Sequence, residues 1–331
     1  MKTSVVILNW NGRHFLEKYL SNVEKYSKLP NTRIIVADNA STDDSVAYVE
    51  KNHQNIDIIK LDKNYGFAEG YNRALKQVKA DYYVLLNSDV EVSKGWLEPL
   101  IEMMRKKTNI AACMPKIRAI ENKEYFEYAG AAGGFIDKYG YPFCRGRLFK
   151  TVEKDTGQYD SECEIFWATG ACCIIDAKLF EKMGGFDEMF FAHMEEIDLC
   201  WRLKNAGYTI WYTPKSIVYH LGGGALSKKS PLKTFLNYRN NLLMLHKNLP
   251  ENIRKKTMII RTVLDCVSAA YSLISGDAET TKAVWKAHID FRKLRKKYTE
   301  INAKKELPPH VYNKSLVYKY FVKKQTTVEN F

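Results

Sequence analysis

Short apolar runs and helical apolar stripes alternate along the first hundred residues. The runs predict four buried strands, at residues 4–8, 33–37, 56–61 and 82–86. Apolar positions at helical spacing predict three helices between them, at residues 15–23, 43–51 and 67–79. Ser41 and Thr42 are candidate N-caps of the second helix. Strands that alternate with helices predict an α/β fold with a mostly parallel, doubly wound, Rossmann-like sheet.

Polar side chains follow three of these strands at the point where each strand ends: Asn9 and Asn11, Asp38 and Asn39, Asn87 and Asp89. Ligands of such sheets bind beyond the carboxyl ends of the strands, so three polar clusters there predict one binding site. The sequence has no G-x-G-x-x-G after the first strand and no G-x-x-x-x-G-K-[ST]. These absences disfavour a dinucleotide dehydrogenase and a P-loop NTPase.

Two of the carboxylates suggest distinct chemistry. Asp38 is placed to accept hydrogen bonds from a base or a ribose, with helix capping as the alternative. Asp89 would repel a diphosphate unless a divalent cation lies between them, which makes it a candidate metal ligand. Glu91, two residues further on, is a weaker candidate.

The sequence contains a set of motifs in a fixed order: SVVILNWNG (4–12), VADNASTDDS (36–45), KNYGFAEGYNRAL (63–75), LLNSDVEV (85–92), WATGACCIID (167–176), GGFDEMFFAHMEEIDLCWRLKNAG (184–207), VYHLGGG (218–224) and RNNLLMLHKNLP (239–250). In order and spacing, this set resembles the family 2 glycosyltransferases of the GT-A fold. The resemblance extends to the rhamnosyltransferase-like branch that builds bacterial surface polysaccharides, and it covers about residues 3–245.

The resemblance implies roles for matching positions. Asp89 and His220 would bind Mn²⁺ or Mg²⁺, and Asn87 stands where the full D-x-D motif has its first Asp. A lone His is more often structural, which is the alternative for His220. The residues implied to hold or pack against the nucleotide sugar are Asn9, Asn11, Asp38, Asn39, Asn64, Gly66, Phe67, Gly70, Asn72, Asn87 and Ser88.

Transfer of a sugar to a hydroxyl requires a general base, and the segment HMEEIDLCWR (193–202) supplies carboxylates. The family's E-D pair falls on Glu195 and Glu196, and its second member, here Glu196, would be the base. Asp198 is the runner-up, although an i,i+4 ion pair with Arg202 is its structural alternative. For Glu195 the alternative is compensation of the helix dipole. One base and no enzymic nucleophile imply inversion at the anomeric carbon.

Other matching segments lie on the acceptor side in the family. They place Trp167, Thr169, Gly170 and Asp187 there. Trp167 and Trp211 are candidates for stacking on sugar rings, and burial in the core is an equal alternative.

The positive charge is confined to the last third of the chain. Residues 1–227 carry 29 basic and 30 acidic side chains, whereas residues 228–331 carry 22 basic and 8 acidic ones. Helices are predicted at 231–246 and 253–273, and residues 291–297 contain five basic side chains. Such helices suit an anionic membrane surface, a polyanion such as nucleic acid, or simple solvation. The near-neutral first 227 residues and the absence of a nucleic-acid module argue against nucleic acid.

Seven cysteines without a C-x-x-C pair favour a reducing compartment. The first apolar run is too short for an export signal, and the run at 258–275 contains Arg261 and Asp265. We therefore expect a cytoplasmic protein that lies peripherally on the inner face of the cell membrane.

Together these features imply a metal-dependent inverting glycosyltransferase. The donor would be dTDP-rhamnose or a UDP-hexose, and the acceptor a hydroxyl of a glycan or a polyprenyl-linked saccharide. The expected parts are a nucleotide-sugar half (1–110), an acceptor and catalytic half (111–227) and a basic helical region (228–331). A non-catalytic protein that binds nucleotide sugars or glycans on the same fold is the alternative.

Overall fold

The computed structural model describes residues 1–222, 230–298 and 306–327. In the first half, four strands alternate with three helices as the apolar pattern predicts: β1 (Thr3–Asn9), α1 (Arg13–Tyr26), β2 (Thr32–Asp38), α2 (Ser45–Asn52), β3 (Asp57–Lys60), α3 (Gly66–Leu75) and β4 (Tyr82–Asn87). Two elements that the pattern does not predict follow, β5 (Val90–Val92) and α4 (Leu97–Lys106). The predicted boundary between residues 227 and 228 lies outside the described residues, as do the last two glycines of VYHLGGG.

One prediction about this half is wrong. The second helix begins at Ser45, with Asp44 at the N-cap position, and neither Ser41 nor Thr42 caps it. The Ser41 hydroxyl instead donates to Asp38 Oδ1 at 2.6 Å, because the loop turns back toward the end of β2 before the helix starts.

The second half adds short strands and two helices: β6 (Ile110–Ala119), β7 (Gly134–Asp137), β8 (Pro142–Cys144), β9 (Arg147–Leu148), β10 (Thr151–Val152), β11 (Cys163–Ile165), β12 (Cys172–Asp176), α5 (Ala177–Lys182), α6 (Glu195–Asn205) and β13 (Thr209–His220). After it come α7 (Pro231–Asn248), α8 (Glu251–Ile274), α9 (Ala278–Leu294) and the short strand β14 (Val311–Tyr312).

The main sheet has the order β11-β13-β6-β12-β4-β1-β2-β3, and β5 pairs with β13. Strands β3, β2, β1 and β4 are parallel, whereas β12 runs antiparallel between β4 and β6. The start of β12 therefore lies at the same edge as the carboxyl end of β4. Because β13 is parallel to β6, its last residue, His220, reaches that edge as well.

The C-terminal helices pack on this α/β body. Leu242 to Leu245 of α7 are fully buried in the main core. The chain then returns, and β14 pairs with β7 at the margin of a small five-stranded sheet of order β10-β9-β8-β7-β14. Among the described residues, α8 is long and apolar enough to cross a membrane by composition alone, and 22% of its most apolar window is buried.

Candidate active site

The ends of β1 and β2 are bonded to each other. Asn9 and Asp38 are register partners, and Asn9 Nδ2 donates to Asp38 Oδ1 at 3.1 Å. Both carboxylate oxygens of Asp38 also accept from Ser41, one from its hydroxyl and one from its backbone N–H at 2.9 Å. Asp38 therefore fixes the loop that follows β2. Asn9 Oδ1 is buried and has no hydrogen-bond partner within the described parts of the chain.

Asn11 continues this loop-to-loop contact. Its backbone is left-handed (φ 50°), and its Oδ1 accepts from the backbone N–H of Thr42 at 2.7 Å. The residue between the two asparagines, Trp10, leaves its side chain 52% exposed beside the sheet edge. Trp10 was not among the predicted site residues. The sequence feature that points to it is a bulky aromatic residue between two polar residues at the end of a strand.

A second loop is held by amide side chains. Asn39 Nδ2 donates to Asn64 Oδ1 at 3.0 Å and to the Gly66 carbonyl at 2.9 Å, and its Oδ1 accepts from Tyr65 N–H at 3.0 Å. Gly66 has a φ of +73°, and a Cβ there would lie 2.5 Å from the ring of Phe191. Only glycine fits this position, because both its backbone angle and its closest neighbour exclude a side chain.

Three further residues of the segment 63–75 also contact other parts of the protein. Asn72 forms a two-way bond with the backbone of Phe186, donating to its carbonyl at 2.8 Å and accepting from its N–H at 2.9 Å. Phe67 lies against Gly170, where a Cβ would be 2.9 Å from the ring, and Gly70 closes onto Asn39 and Leu8. The motif thus joins the donor half of the sheet to the loops of the second half.

The third strand end brings a carboxylate and an imidazole together. Asp89 Oδ1 lies 3.2 Å from His220 Nε2, and Asn87 Nδ2 lies 3.4 Å from the same nitrogen. Ser88 lies between them in sequence and is partly buried. On the other side of the ring, Glu127 Oε2 is 3.4 Å from His220 Nδ1. No motif contains Glu127, so it could not be predicted as a neighbour of His220 from the sequence.

These neighbours change the protonation of the imidazole. Burial alone would lower the pKa of His220, but hydrogen bonds and attraction from Asp89 and Glu127 raise its pKa to about 10. Within the described residues, no group of three His, Cys, Asp or Glu side chains forms a ligand cluster. At neutral pH the raised pKa keeps the imidazole protonated, so a cation could bind Asp89 and His220 only by displacing the proton from Nε2, with its remaining ligands taken from a bound anion. Glu127 would then orient the ring from its far nitrogen. Glu91 instead pairs with Lys123 at 2.5 Å.

The loop before α6 is strained and tightly held. Phe191, His193 and Met194 are all left-handed, with φ of 63°, 70° and 75°. Asn240 of α7 donates to the carbonyls of Phe190, Ala192 and His193, each at 2.8 Å. On the opposite side, Phe67 N–H and Ala68 N–H donate to the Phe191 carbonyl at 2.7 and 3.1 Å. Asn240 is thus a positioning residue that spacing did not predict.

This loop delivers two carboxylates at the start of α6. Glu195 is buried and Glu196 is half-buried, and each has one buried oxygen, Oε2, without a hydrogen-bond partner in the described structure. Burial raises the pKa of Glu196 to about 7. Burial, followed by repulsion from Glu196 and Asp198, raises the pKa of Glu195 well above its usual range. A carboxylate that titrates near neutral pH suits proton transfer.

Two hydrogen bonds show where α6 lies. Ala168 N–H donates to Cys200 Sγ of α6 at 3.5 Å, and Asn87 N–H donates to the Ala171 carbonyl at 3.0 Å. The segment that leads into β12 thus contacts both α6 and the end of β4. Helix α6 therefore packs beside the sheet edge where Asn87 and Asp89 follow β4.

Asp198 is placed differently. It is fully buried, and its oxygens bond to Arg202 Nε at 2.8 Å, Lys247 Nζ at 3.1 Å and Asn248 Nδ2 at 2.7 Å. After the opposing effect of burial, attraction from Arg202 and Lys247 lowers the pKa of Asp198. The i,i+4 ion pair exists, and it forms part of a network that joins α6 to α7.

The acceptor-side candidates lie in the core or at the junction with the C-terminal helices. Trp167 is 4% exposed and donates to the Phe135 carbonyl at 2.8 Å, and Trp211 donates to Thr209 Oγ1 at 3.0 Å. Thr169 Oγ1 donates to the Ala129 carbonyl at 2.9 Å. Asp187 Oδ2 pairs with Lys247 Nζ at 2.5 Å and accepts from the Tyr298 hydroxyl at 2.9 Å.

Comparison with known proteins identifies the family. The family model described as glycosyl transferase family 2 matches residues 4–184. The N-acetylglucosaminyl-diphospho-decaprenol L-rhamnosyltransferase of Mycobacterium tuberculosis is 25% identical over 230 residues, which cover 65% of this chain and 75% of that protein. The rhamnosyltransferase WbbL of Escherichia coli is 24% identical over 225 residues, covering 65% and 82% respectively.

A solved structure of GalNAc-T7 with UDP, GalNAc and Mn²⁺ matches the fold with a TM-score of 0.57 and 18% identity. The match covers 74% of this chain and 47% of that one. The predicted fold class, a GT-A α/β domain with a C-terminal helical extension, is thereby confirmed. The polar side chains at the strand ends, the pair of Asp89 and His220, and the pKa of about 7 for Glu196 are consistent with these relatives. The chain belongs to glycosyl transferase family 2 and is a glycosyltransferase.

Proposed function

We propose that the protein transfers a sugar from a nucleotide diphosphate sugar to a hydroxyl of a glycan or a lipid-linked saccharide, with inversion at the anomeric carbon. The observation that carries this proposal is the placement of Glu196. Its carboxylate has a pKa of about 7, an unpartnered oxygen in the described structure, and a position at the sheet edge that also holds Asp89 and His220.

The donor lies across the carboxyl ends of β1, β2 and β4 in this proposal. Asn9, whose Oδ1 has no hydrogen-bond partner among the described residues, is a direct contact, and the exposed Trp10 is a second surface for the nucleotide. Four other side chains would act on the donor indirectly, by holding the backbone of its binding site: Asp38, Asn39, Asn64 and Asn72. Residues 1–110 would form the nucleotide-sugar half, 111–227 the acceptor and catalytic half, and 228–331 the basic helical region.

Asp89 and His220 would hold a divalent cation, Mn²⁺ or Mg²⁺, together with diphosphate oxygens of the donor. When bound, the cation compensates the charge that develops on the leaving nucleotide diphosphate. The GalNAc-T7 structure, which shares the fold, contains UDP, GalNAc and Mn²⁺, and this supports a divalent cation in the proposed reaction. Asn87, within 3.4 Å of His220 Nε2, would orient the ring and the donor.

Glu196 would accept the proton of the acceptor hydroxyl as its oxygen attacks the anomeric carbon, and the sugar–phosphate bond breaks with the nucleotide diphosphate as leaving group. Asp198, the alternative base, is held by two cations and an amide, which leaves its oxygens little capacity for a proton. Glu195 would remain protonated beside Glu196. Attack from the face opposite the diphosphate gives inversion.

Relatives narrow the substrates of this proposal. The mycobacterial relative is by name an L-rhamnosyltransferase for a diphospho-decaprenol-linked sugar, and WbbL is a rhamnosyltransferase. They favour dTDP-rhamnose as donor, with UDP-hexoses next, and a polyprenyl-linked saccharide as acceptor. The decaprenol-linked acceptor in the name of the mycobacterial relative also supports a location next to the membrane.

A screen of nucleotide release from dTDP-rhamnose and UDP-hexoses tests the proposal. Turnover should require Mn²⁺ or Mg²⁺, disappear with EDTA and be low in the Glu196→Gln variant. Nuclear magnetic resonance of the product should show the anomeric configuration opposite to that of the donor. Donor binding without turnover in the presence of any saccharide acceptor would support the non-catalytic alternative, and retention of configuration would contradict the mechanism.

A further inference from the structure

Helix α8 has polar side chains on the face that packs against the protein. Thr257, Arg261 and Asp265, each four residues after the last, are buried. Arg261 Nε bonds to Asp265 Oδ1 at 2.8 Å, and its Nη1 donates to Asn241 Oδ1 of α7 at 2.6 Å. His288 Nε2 of α9 lies 3.1 Å from the other oxygen of Asp265. This side of α8 is therefore an internal ion-pair network.

The opposite face of α8 is apolar and exposed. The exposed fractions of its large side chains run from 56% to 87%, for Ile259, Val263, Val267, Tyr271 and Ile274. Between Ile259 and Ile274, all of which the structure describes, the two charged residues are the buried Arg261 and Asp265. A helix on the surface of a water-soluble domain has the reverse arrangement, with apolar residues inward. The face consequently requires an apolar environment.

Helix α9 extends this face and surrounds it with positive charge. Trp285 is 61% exposed, and it lies between Thr281 and His288, which both bond to α8, so its indole is at the border of the two helices. Ile289 is 52% exposed. The exposed charged side chains around them are mostly basic: Lys255, Lys256, Lys282, Lys286, Arg292 and Lys293. Two exposed acids, Asp277 and Glu279, lie where α8 turns into α9, and Glu279 pairs with Lys282 at 3.0 Å. Tryptophan with flanking Lys and Arg is typical of segments at a membrane interface.

We propose that this α8–α9 face, defined by Ile259, Val263, Val267, Tyr271, Ile274 and Trp285, inserts into the interfacial layer of an anionic lipid bilayer. The basic rim is complementary to anionic headgroups, whereas in a dimer formed through this face two such rims would repel each other. The helix lies in the plane of the membrane, because Arg261 and Asp265 tie its middle to α7 and α9. The inference does not depend on the identity of the sugar donor.

Insertion would fix the height of the active site above the membrane. Helix α7 contacts both regions: Asn241 bonds to Arg261 of α8, and Asn240 holds the carbonyls that lead to Glu196. A bound bilayer therefore sits at a defined distance from the proposed base. This arrangement suits an acceptor whose saccharide is attached to a lipid.

Cys266 gives a direct test, since it is the exposed cysteine within this face; the other six are buried or, for Cys163, partly buried. An environment-sensitive fluorophore on Cys266, in a full-length Cys163→Ser background, should shift to the blue with phosphatidylcholine–phosphatidylglycerol vesicles. Lipids with a nitroxide near the headgroup should quench it more than lipids with a nitroxide near the chain end. The same fluorophore on a Ser21→Cys, Cys266→Ser protein should not respond.

Two matched variants separate insertion from general electrostatic attraction. Val263→Asp with Val267→Asp changes exposed residues and should weaken vesicle binding roughly tenfold or more. Ser21→Asp with Gln54→Asp adds the same charge on the exposed surface of the first half and should have little effect. Circular dichroism and urea unfolding check that each variant remains folded.

Three outcomes would overturn the proposal. The first is an emission spectrum of the fluorophore that does not change when anionic vesicles are added. The second is a blue shift that depends on protein concentration without vesicles, together with a dimer detected by light scattering. The third is stronger quenching by lipids with the nitroxide near the chain end, which would indicate a helix that spans the membrane. Failure to bind dTDP would count against the proposed reaction and leave the vesicle result interpretable.

Discussion

The loop network around Asp38, Asn39 and Asn72 and the start of α6 use their polar groups in opposite ways. Asp38, Asn39 and Asn72 use their side-chain oxygens and amides on neighbouring loops. Glu195 and Glu196 are buried with an oxygen that has no hydrogen-bond partner in the described chain, and their pKa values are raised. In the loop network the polar groups hold the backbone in place, whereas at the start of α6 the carboxylates remain able to accept protons.

The difference indicates which residues of the motifs hold the backbone of the binding cleft and which are retained for the reaction. Side chains that are fully bonded set the backbone of a binding cleft, so their loss should reduce stability and donor affinity together. Side chains that are buried without partners destabilise the fold, which is typical of groups retained for reactivity. The following changes test this division, from the largest expected effect to the smallest.

Asp89→Ala should reduce metal-dependent turnover by roughly 10³-fold, because the diphosphate loses the carboxylate that holds its counter-cation. Steady-state assays over a range of Mn²⁺ concentrations measure the loss. Glu91→Ala is the matched control, since Glu91 is two residues away and pairs with Lys123. An equal loss in both variants would show that Asp89 has no particular role.

Asp198→Asn should lower the free energy of unfolding by about 3 kcal/mol, because it leaves Arg202 and Lys247 without their shared carboxylate. Urea unfolding measures the change. Asp57→Asn removes an exposed partner of Arg33 and should change stability by less than about 1 kcal/mol. If Asp198→Asn unfolds like the wild type and loses activity, Asp198 is the base.

Glu196→Gln should raise the free energy of unfolding at pH 8 by about 2 kcal/mol. Because the pKa of Glu196 is raised by burial, the folded protein binds a proton that the unfolded chain has released, so wild-type stability falls between pH 4.5 and about 7. The gain should vanish toward pH 4. A variant that is less stable than the wild type at pH 8 would contradict the contrast between the two regions.

Asn39→Ala should lower the free energy of unfolding by about 1–2 kcal/mol and weaken donor binding, since three hydrogen bonds to residues 64–66 are lost. Thermal unfolding and dTDP titration measure the two effects. Asn52→Ala, which removes one exposed bond to the Tyr48 carbonyl, should change neither. Weakened binding with unchanged stability would instead make Asn39 a direct ligand.

Sequence patterns predicted the parts of this fold that depend on local periodicity. Strands β1 to β4 and helices α1 to α3 lie where apolar runs and stripes place them, and the pair between Asp198 and Arg202 follows from i,i+4 spacing. The prediction that Ser41 caps α2 is wrong because Ser41 bonds to Asp38, three residues earlier, in a turn that residue spacing does not reveal.

Contacts between distant segments were not predictable in this way. Glu127 meets His220, and Asn240 meets the loop before α6, only because the strands and helices bring them together. Strands of two residues, such as β14, have no period to detect. For α8 the sequence indicates an apolar stripe and a polar stripe, and only the packing against α7 and α9 decides that the polar one is inside.

The dependence of kcat on pH, compared among the wild type, Glu196→Gln and Glu195→Gln, tests the central claim most directly. Wild-type kcat should rise with pH through an apparent pKa near 7, because the base must lose its proton. Glu196→Gln should lower kcat by roughly 10²-fold or more and abolish the rise. Glu195→Gln, which resembles a protonated Glu195, should retain the wild-type kcat and its rise with pH. Wild-type kcat and pH dependence in Glu196→Gln would contradict the account.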